Sequence, residues 1–180
     1  ARPSPVTKHQ LFATNYARLT REIAQPRERA KLVAVPAQNR CDHVVFRDAL
    51  MSSLAGMSSD LRQHLGRLGE DLALEHLERL GFRVLHRNYR TRFGELDLIV
   101  CDDATIVFVE VKARRLGANA GSALDSVPPR KQRQVRGMAA AWLVESEDRP
   151  RSTDLRFDVV GVTVDHGGRL VRLDHLEGAF

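Results

Sequence analysis

The sequence lacks features that define several large classes of proteins. It contains no apolar run of about 18 residues, the length that a membrane-spanning helix requires. It has only two cysteines, Cys41 and Cys101, and they form neither a disulfide framework nor a zinc-binding pattern. We interpret both as reduced side chains. Because the N-terminal residues also lack an apolar segment of secretory-signal length, we expect a cytoplasmic protein that does not enter a membrane.

Several common enzyme motifs are also missing. The sequence has no phosphate-binding P-loop, no H-E-x-x-H metalloprotease motif and no nucleophile elbow. His166 and His175 have no cysteine partner at zinc-ligand spacing. His76 lies within the apolar stripe of a predicted helix, so we expect it to be a buried, hydrogen-bonded core residue.

The net positive charge is concentrated at one end of the chain. Residues 1–50 hold nine Lys or Arg and four Asp or Glu, whereas residues 51–180 hold nineteen of each sign. The net charge of +5 therefore belongs to the first segment, which four prolines interrupt. We interpret residues 1–58 as a basic, weakly structured tail and residues 59–180 as one folded domain.

Basic residues also cluster inside the neutral domain. Such clusters can follow a phosphate backbone even where the net charge of the domain is zero. A solvated basic surface is the alternative, and charge alone does not decide between the two. The first cluster consists of Arg79, Arg83, Arg87, Arg90 and Arg92, and the second of Lys112, Arg114, Arg115, Arg130, Lys131, Arg133 and Arg136.

The order of predicted elements indicates an α/β domain. A helix begins at Ser59 or Asp60 and ends near Leu80, with leucines at helical spacing and Gly66 and Gly69 on one side. Three strands, a helix opened by two prolines and two further strands follow. This α-β-β-β-α-β-β order predicts a three-layer fold with a mixed central sheet. The predicted strands cover residues 82–88, 95–101, 105–112, 157–164 and 170–173.

Only three residues separate the second and third strands, so these strands must form an antiparallel hairpin. If the hairpin loop has an even residue count centred between Asp103 and Ala104, Asp97 lies opposite Glu110, and Glu95 lies opposite Lys112 on the same face; an odd count would shift the register by one and break this arrangement. Directly opposed Cβ atoms are roughly 4.5–5.5 Å apart, so the two carboxylates repel each other unless a cation lies between them. Mg²⁺ suits such a pair because it takes oxygen ligands and keeps several waters.

Other side chains complete the predicted site. Lys112 is placed to stabilise charge that develops on a phosphate. Glu70, at the edge of the first helix's stripe, is a candidate outer ligand. Charged residues that alternate with Ile and Val usually mark a solvated face, which is the alternative interpretation. Here the same face also carries Ile99 and Phe108, which require cover.

Two strings of residues carry a resemblance to a known family. They are 94–99, Gly-Glu-Leu-Asp-Leu-Ile, and 107–114, Val-Phe-Val-Glu-Val-Lys-Ala-Arg. With Gly69-Glu70-Asp71 and the closing Gly178-Ala179-Phe180, they resemble the YraN family of uncharacterised bacterial proteins over residues 67–180. That family is similar to archaeal Holliday-junction resolvases and to the restriction-endonuclease-like, PD-(D/E)xK, nucleases. Leu96 stands where that motif has proline.

The resemblance implies a restriction-endonuclease-like domain that hydrolyses phosphodiester bonds in DNA, including branched or structured DNA, with Mg²⁺ or Mn²⁺. It implies that Asp97, Glu110 and Glu70 bind the metal and that Lys112 is the catalytic lysine. A symmetric junction substrate would favour a homodimer. A non-catalytic nucleic-acid-binding or adaptor protein with the same fold is the alternative. The residues expected to contact substrate are Lys131, Gln134, Arg114 and Arg92.

Overall fold

The computed structural model contains a six-stranded sheet with a helix on each face. It describes Tyr16 and residues 31–35, 57–117, 127–146, 149–150 and 154–180. Neither helix of this described part combines the length and the apolar character of a membrane span. The helices are α1 (Met57–Arg79) and α2 (Pro129–Glu145), and the strands are β1 (Lys31–Val35), β2 (Arg83–Thr91), β3 (Gly94–Cys101), β4 (Thr105–Arg115), β5 (Asp154–Val164) and β6 (Leu170–Glu177).

The sheet is mixed, as the sequence predicts. Its strand order is β1-β6-β5-β4-β3-β2. β4 and β5 are parallel, and α2 lies in the connection between them, as a parallel crossover requires. The other neighbouring strands pair antiparallel. The predicted α-β-β-β-α-β-β order is therefore confirmed.

The β3–β4 hairpin has the register that the sequence predicts. Leu98 pairs with Val109, and the alignment continues through three further pairs toward the turn. Extended by one residue in the other direction, it sets Asp97 across from Glu110. The Asp102 carboxylate closes the turn by accepting the backbone N–H groups two and three residues ahead, at 2.9 and 2.6 Å.

Each face of the sheet has its own apolar core, which makes the domain three-layered. α1 covers one face and α2 the other. Trp142 is 1% exposed within the α2 core, and Cys101 is a buried free thiol, as predicted for the cysteine. The α1 core includes Leu72, Ala73, Leu77, Leu98, Val100, Val107, Val109, Val160 and Val162, and the α2 core includes Leu96, Ile99, Ile106, Phe108, Val135, Met138, Trp142 and Phe157.

The structure corrects the prediction for part of the segment 1–58. Residues Lys31–Val35 are not weakly structured: they form β1, an edge strand paired antiparallel with β6. α1 also begins earlier than predicted, at Met57. From the same segment, the Tyr16 ring stacks on Phe93 with centroids 5.7 Å apart. The other residues of the predicted tail, including Cys41, lie outside the described residues.

Candidate functional site

Asp97 and Glu110 lie just beyond the last backbone pair between β3 and β4. The ladder between these strands ends at Leu98 and Val109. Immediately after it, the Asp97 carboxylate accepts the backbone N–H of Val111 at 2.7 Å. A side chain therefore joins the two strands at this point, and it fixes the Asp97 carboxylate beside the backbone that carries Glu110.

The electrostatic surroundings of Asp97 oppose its ionisation. Burial is the largest cause, and the nearby Glu110 carboxylate is the next; together they raise the pKa of Asp97 to about 7. The hydrogen bond from Val111 and the charge of Lys131 act in the opposite direction, and Glu70 adds a smaller repulsion. Asp97 is therefore within electrostatic range of both carboxylates that the sequence groups with it.

Glu110 has one satisfied and one unsatisfied carboxylate oxygen. Its Oε1 is 3.0 Å from the Lys131 ammonium, and the Glu110 side chain is only 12% exposed. Its Oε2 is buried and has no hydrogen-bond partner among the residues that the structure describes. Because a buried carboxylate oxygen without a partner is costly, this atom is suited to a cation.

Glu70 approaches the same region from α1. A Cβ placed on Gly69 would lie 2.4 Å from the Ala113 Cβ, so the absence of a side chain there allows α1 to pack closely against β4. The neighbouring Glu70 carboxylate accepts a hydrogen bond from Asn88 Nδ2 at 3.0 Å. Glu70 therefore lies close enough to Asp97 to oppose its ionisation, and its hydrogen bond with Asn88 connects it to β2.

The donor set fits a hard, partly hydrated cation better than an ion held in a closed protein cage. Within the described residues, no group of three or more His, Cys, Asp or Glu side chains is arranged to hold a metal. The pair formed by Asp97 and Glu110 supplies oxygen donors, one of them unsatisfied. Mg²⁺ is commonly bound by one or two carboxylates and keeps several waters, so the pair is compatible with it.

Lys112 lies two residues beyond Glu110 on β4 and is half-buried. Its partner across the parallel β4–β5 ladder is Gly161, which contributes no side chain beside it. Alternation along the strand places Lys112 on the same face as Glu110. The role of Lys112 at the carboxylate pair stays a prediction from its spacing.

Among the residues predicted to contact substrate, Lys131 is the one that forms an ion pair with Glu110. α2 covers the sheet face that carries Phe108 and, by alternation, Glu110, so the helix brings the Lys131 ammonium to Glu110. Sequence spacing within α2 could not identify this partner, because the contact depends on how the helix packs against β4. Its place near the helix N-terminus, before the buried residues of α2, was the available signal.

The other predicted substrate residues contact different groups. Gln134 Nε2 donates to the Phe93 carbonyl at 2.6 Å, which ties α2 to the β2–β3 turn. The exposed Arg92 places its guanidinium 4.7 Å from the centroid of the Phe93 ring. Arg114 Nε donates to the Thr163 hydroxyl at 3.2 Å. Arg92 and Gln134 are thus both exposed beside the β2–β3 turn, whereas Arg114 is half-buried on β4.

The sequence prediction did not anticipate a buried polar network elsewhere in the domain. His76 is 5% exposed and its Nε2 lies 3.2 Å from His175 Nδ1, which confirms it as a hydrogen-bonded core histidine. His175 in turn contacts the fully buried Asp158 at 2.9 Å. Arg156 binds both oxygens of Asp158 at 2.8 to 3.1 Å. The network joins α1, β5 and β6.

Sequence comparisons agree on one family. The family model of the Uncharacterised protein family UPF0102 matches residues 69–162, which include both carboxylates and both lysines of the site. A UPF0102 protein of Mycobacterium avium (strain 104) is 47% identical over 130 residues, covering 71% of this chain and 98% of the relative. A UPF0102 protein of Pelotomaculum thermopropionicum is 44% identical over 122 residues, covering 68% of this chain and 99% of the relative.

Proposed function

The chain belongs to the uncharacterised protein family UPF0102, which is the YraN family, and we propose that it is a metal-dependent nuclease that hydrolyses phosphodiester bonds in DNA. The observation that carries this proposal is the hydrogen bond from the Val111 N–H to the Asp97 carboxylate at 2.7 Å, which sets Asp97 beside the backbone that carries Glu110. The buried Glu110 Oε2, which has no hydrogen-bond partner among the described residues, is suited to a cation, and Lys112 lies two residues beyond Glu110 on β4.

The proposed roles follow from chemistry and position. Asp97 and Glu110 would hold Mg²⁺ or Mn²⁺, with Glu70 as an outer carboxylate. When bound, the metal would supply Lewis acidity and a template for substrate and water. Lys112 would orient the attacking water or neutralise charge that develops on the phosphate. The hydrogen bond from Val111 would keep the Asp97 carboxylate aimed between the two strands.

Two considerations support a nucleic-acid substrate. The motif that contains Asp97, Glu110 and Lys112 resembles that of the PD-(D/E)xK nucleases and of the archaeal Holliday-junction resolvases. Exposed arginines also lie on elements that neighbour or carry residues of the site: Arg92 is in the β2–β3 turn, and Arg130 and Arg133 are in the first turns of α2. Basic side chains in these positions would attract a phosphate backbone. We propose branched or structured DNA as substrate, bound by a homodimer in the cytoplasm.

A cleavage assay tests the proposal directly. The full chain would be incubated in Mg²⁺ and in Mn²⁺ with duplex, single-stranded, flap and four-way-junction DNA, and with RNA. We expect cleavage of at least one DNA class. Glu110→Gln and Lys112→Ala should each lower the rate on the order of 10²-fold or more, because each removes a group that acts on the reacting phosphate.

A matched control is available on the neighbouring strand. Glu95 is a carboxylate on β3 whose ion pair is with the exposed Arg90, at 3.4 Å. Glu95→Gln should leave the rate within about twofold of the wild type, because exposed ion pairs contribute little. If DNA binds but no substrate is cut in either metal, the protein is instead the non-catalytic binding or adaptor protein.

A further inference from the structure

We propose that Lys131 is an internal counter-ion of the carboxylate pair, which a divalent metal displaces so that the lysine becomes available to a substrate phosphate. The inference rests on the proposed function, since it concerns the same carboxylates. It adds a coupling between metal binding and nucleic-acid binding that neither the fold nor the motif specifies.

The contact between Lys131 and Glu110 lies at the edge of the buried region. The two charged groups are 3.0 Å apart, and the Lys131 side chain is 33% exposed while that of Glu110 is 12% exposed. The lysine therefore has a route to solvent that the glutamate lacks. Lys131 is also the third residue of α2, before the buried stretch that begins at Val135, so its release leaves the packed part of the helix in place.

A metal and the ammonium would compensate the same negative charge. If the metal bound Glu110 Oε1, it would replace Lys131 directly. If it bound Oε2, which has no hydrogen-bond partner, the ammonium would stay 3.0 Å from the other oxygen and would repel the metal. In both arrangements Lys131 weakens metal binding, and the metal weakens the hold of Glu110 on Lys131.

The displaced ammonium would then meet the substrate. It shares the first turns of α2 with the exposed Arg130 and Arg133, which would attract a phosphate backbone to the same end of the helix. A phosphate that paired with Lys131 would remove the competitor of the metal. Metal and nucleic acid would therefore strengthen each other's binding, and by linkage the factor is the same in both directions.

Metal affinity measured without nucleic acid tests the first half of the proposal. The full chain would be titrated with Mn²⁺ by calorimetry at fixed pH and salt, as wild type, Lys131→Met, Lys131→Arg and Arg133→Met. Lys131→Met should bind Mn²⁺ about tenfold more tightly, a coupling within the usual range. Lys131→Arg keeps the charge, so its affinity for Mn²⁺ should resemble that of the wild type. Arg133→Met removes an equal charge from an exposed position of the same helix, and its affinity should stay within about twofold of the wild type.

The outcomes separate this proposal from the proposed function. Equal or weaker binding by Lys131→Met overturns the counter-ion role, even if the wild type cleaves DNA. Tighter binding by Lys131→Met with no cleavage of any substrate supports the counter-ion role and counts against the nuclease. If neither protein binds millimolar Mn²⁺, the counter-ion role and the metal site both fail.

The salt dependence of DNA binding tests the second half. Lys112→Ala would serve as the background, so that bound DNA is not cut. The slope of log affinity against log salt would be measured with and without Mn²⁺ for proteins with Lys131 and with Lys131→Met. Adding Mn²⁺ should steepen this slope by about 0.9 more in the protein that keeps Lys131, because one additional phosphate contact on duplex DNA contributes about that value. An equal change in both proteins would overturn the transfer of Lys131 to phosphate.

Discussion

At the scale of single residues, Asp97 and His76 carry buried groups whose pKa values are shifted in opposite senses. Burial and the Glu110 carboxylate raise the pKa of Asp97 to about 7. Burial, His175 and Arg79 lower the pKa of His76 to about 4. Both shifts disfavour the charged form, but they impose opposite dependences of stability on pH.

Asp97 should make the metal-free protein less stable as pH rises from about 4 to about 7. In that window the folded state holds a proton that the unfolded carboxyl, with its ordinary pKa of 3.8, releases. The free energy of unfolding should therefore fall with a slope of at most about 1.4 kcal/mol per pH unit. Asp97→Asn should remove this contribution, as urea unfolding in a chelator from pH 4 to pH 8 would show.

Glu95→Gln, which changes a more exposed carboxylate of the same strand, is the control for Asp97→Asn and should leave the wild-type pH profile nearly unchanged. Parallel pH profiles for the wild type and Asp97→Asn would contradict the raised pKa of Asp97. The comparison must be made as a difference between the two proteins, since other groups titrate in the same range.

His76 should contribute in the opposite direction. Between about pH 4 and its ordinary pKa of 6.5, the unfolded histidine holds a proton that the buried side chain rejects. Stability should rise with pH through this window and be fully present above it. His76→Gln should flatten that rise relative to the wild type, whereas His64→Gln, at an exposed position of the same helix, should not. An unchanged profile for His76→Gln would show that His76 ionises freely in the folded state.

Some of the residue pairings in the site could be predicted from the sequence, and others could not. The alignment of Asp97 with Glu110 follows from an even hairpin loop, because the pair nearest the turn, Cys101 with Ile106, leaves four loop residues and fixes the register of the alternating strands. The pairing of Lys131 with Glu110 joins residues on separate elements and depends on how α2 packs. His175 was missed for the same reason, because its partners lie on α1 and β5.

At the scale of elements, the contact between α1 and β4 determines where Glu70 lies. The sequence places Gly66 and Gly69 on one side of α1, where either glycine would let the helix approach the sheet. The structure supports this for Gly69, where an added Cβ would lie 2.4 Å from the Ala113 Cβ. At Gly66 an added Cβ would meet nothing within 4 Å. Helical spacing could not distinguish the two glycines, because it gives the side of the helix but not its distance from the sheet.

The two glycines therefore form a matched pair for mutation. Gly69→Ala should lower the free energy of unfolding by about 1–3 kcal/mol, because the helix or the strand must shift to admit the methyl group. Gly66→Ala should be neutral or raise the free energy of unfolding by up to about 1 kcal/mol, since alanine favours the helix. Urea unfolding of both variants gives the comparison.

A second-site change would identify the cause of the Gly69→Ala effect. Replacing Ala113 with glycine in the Gly69→Ala background removes the atom that the new methyl group would meet. Partial recovery of stability is expected in the double variant relative to Gly69→Ala. Additive losses from the two changes would show that the predicted contact between α1 and β4 does not limit the packing.

At the scale of the whole molecule, the N-terminal segment is joined to the domain at opposite ends of the sheet order. β1 pairs with β6 at one edge, whereas Tyr16 packs on Phe93 in the turn between β2 and β3. Composition led to the prediction of a tail because prolines and basic residues dominate it. The Lys-Leu-Val-Ala-Val run of β1 was the signal for a strand, but its partner is about 140 residues away, and no local pattern could supply it.

If the protein is the nuclease proposed above, removing residues 1–50 should change its binding of nucleic acid more than its rate of cleavage. The deletion removes the entire net charge of +5, so the salt dependence of DNA binding should become shallower. The deletion should leave Asp97 and Glu110 in place, because β6 and β5 lie between the deleted β1 and the strand β4 that carries Glu110. A domain of the remaining size is consistent with the Mycobacterium avium relative, 98% of which is matched by 130 residues of this chain. Cleavage rates at saturating DNA should stay within about threefold of the full chain, as expected when only electrostatic attraction is removed.

The contact of Tyr16 with Phe93 is the reason why the deletion could instead lower the rate of cleavage. If the truncated chain folds but its rate at saturating DNA collapses, the N-terminal segment is part of the site. Tyr16→Ala in the full chain would then reproduce the loss, because Phe93 belongs to the turn that also carries Arg92 and accepts the hydrogen bond from Gln134. If Tyr16→Ala leaves the rate unchanged and the deletion alters only the salt slope, the segment acts through its charge.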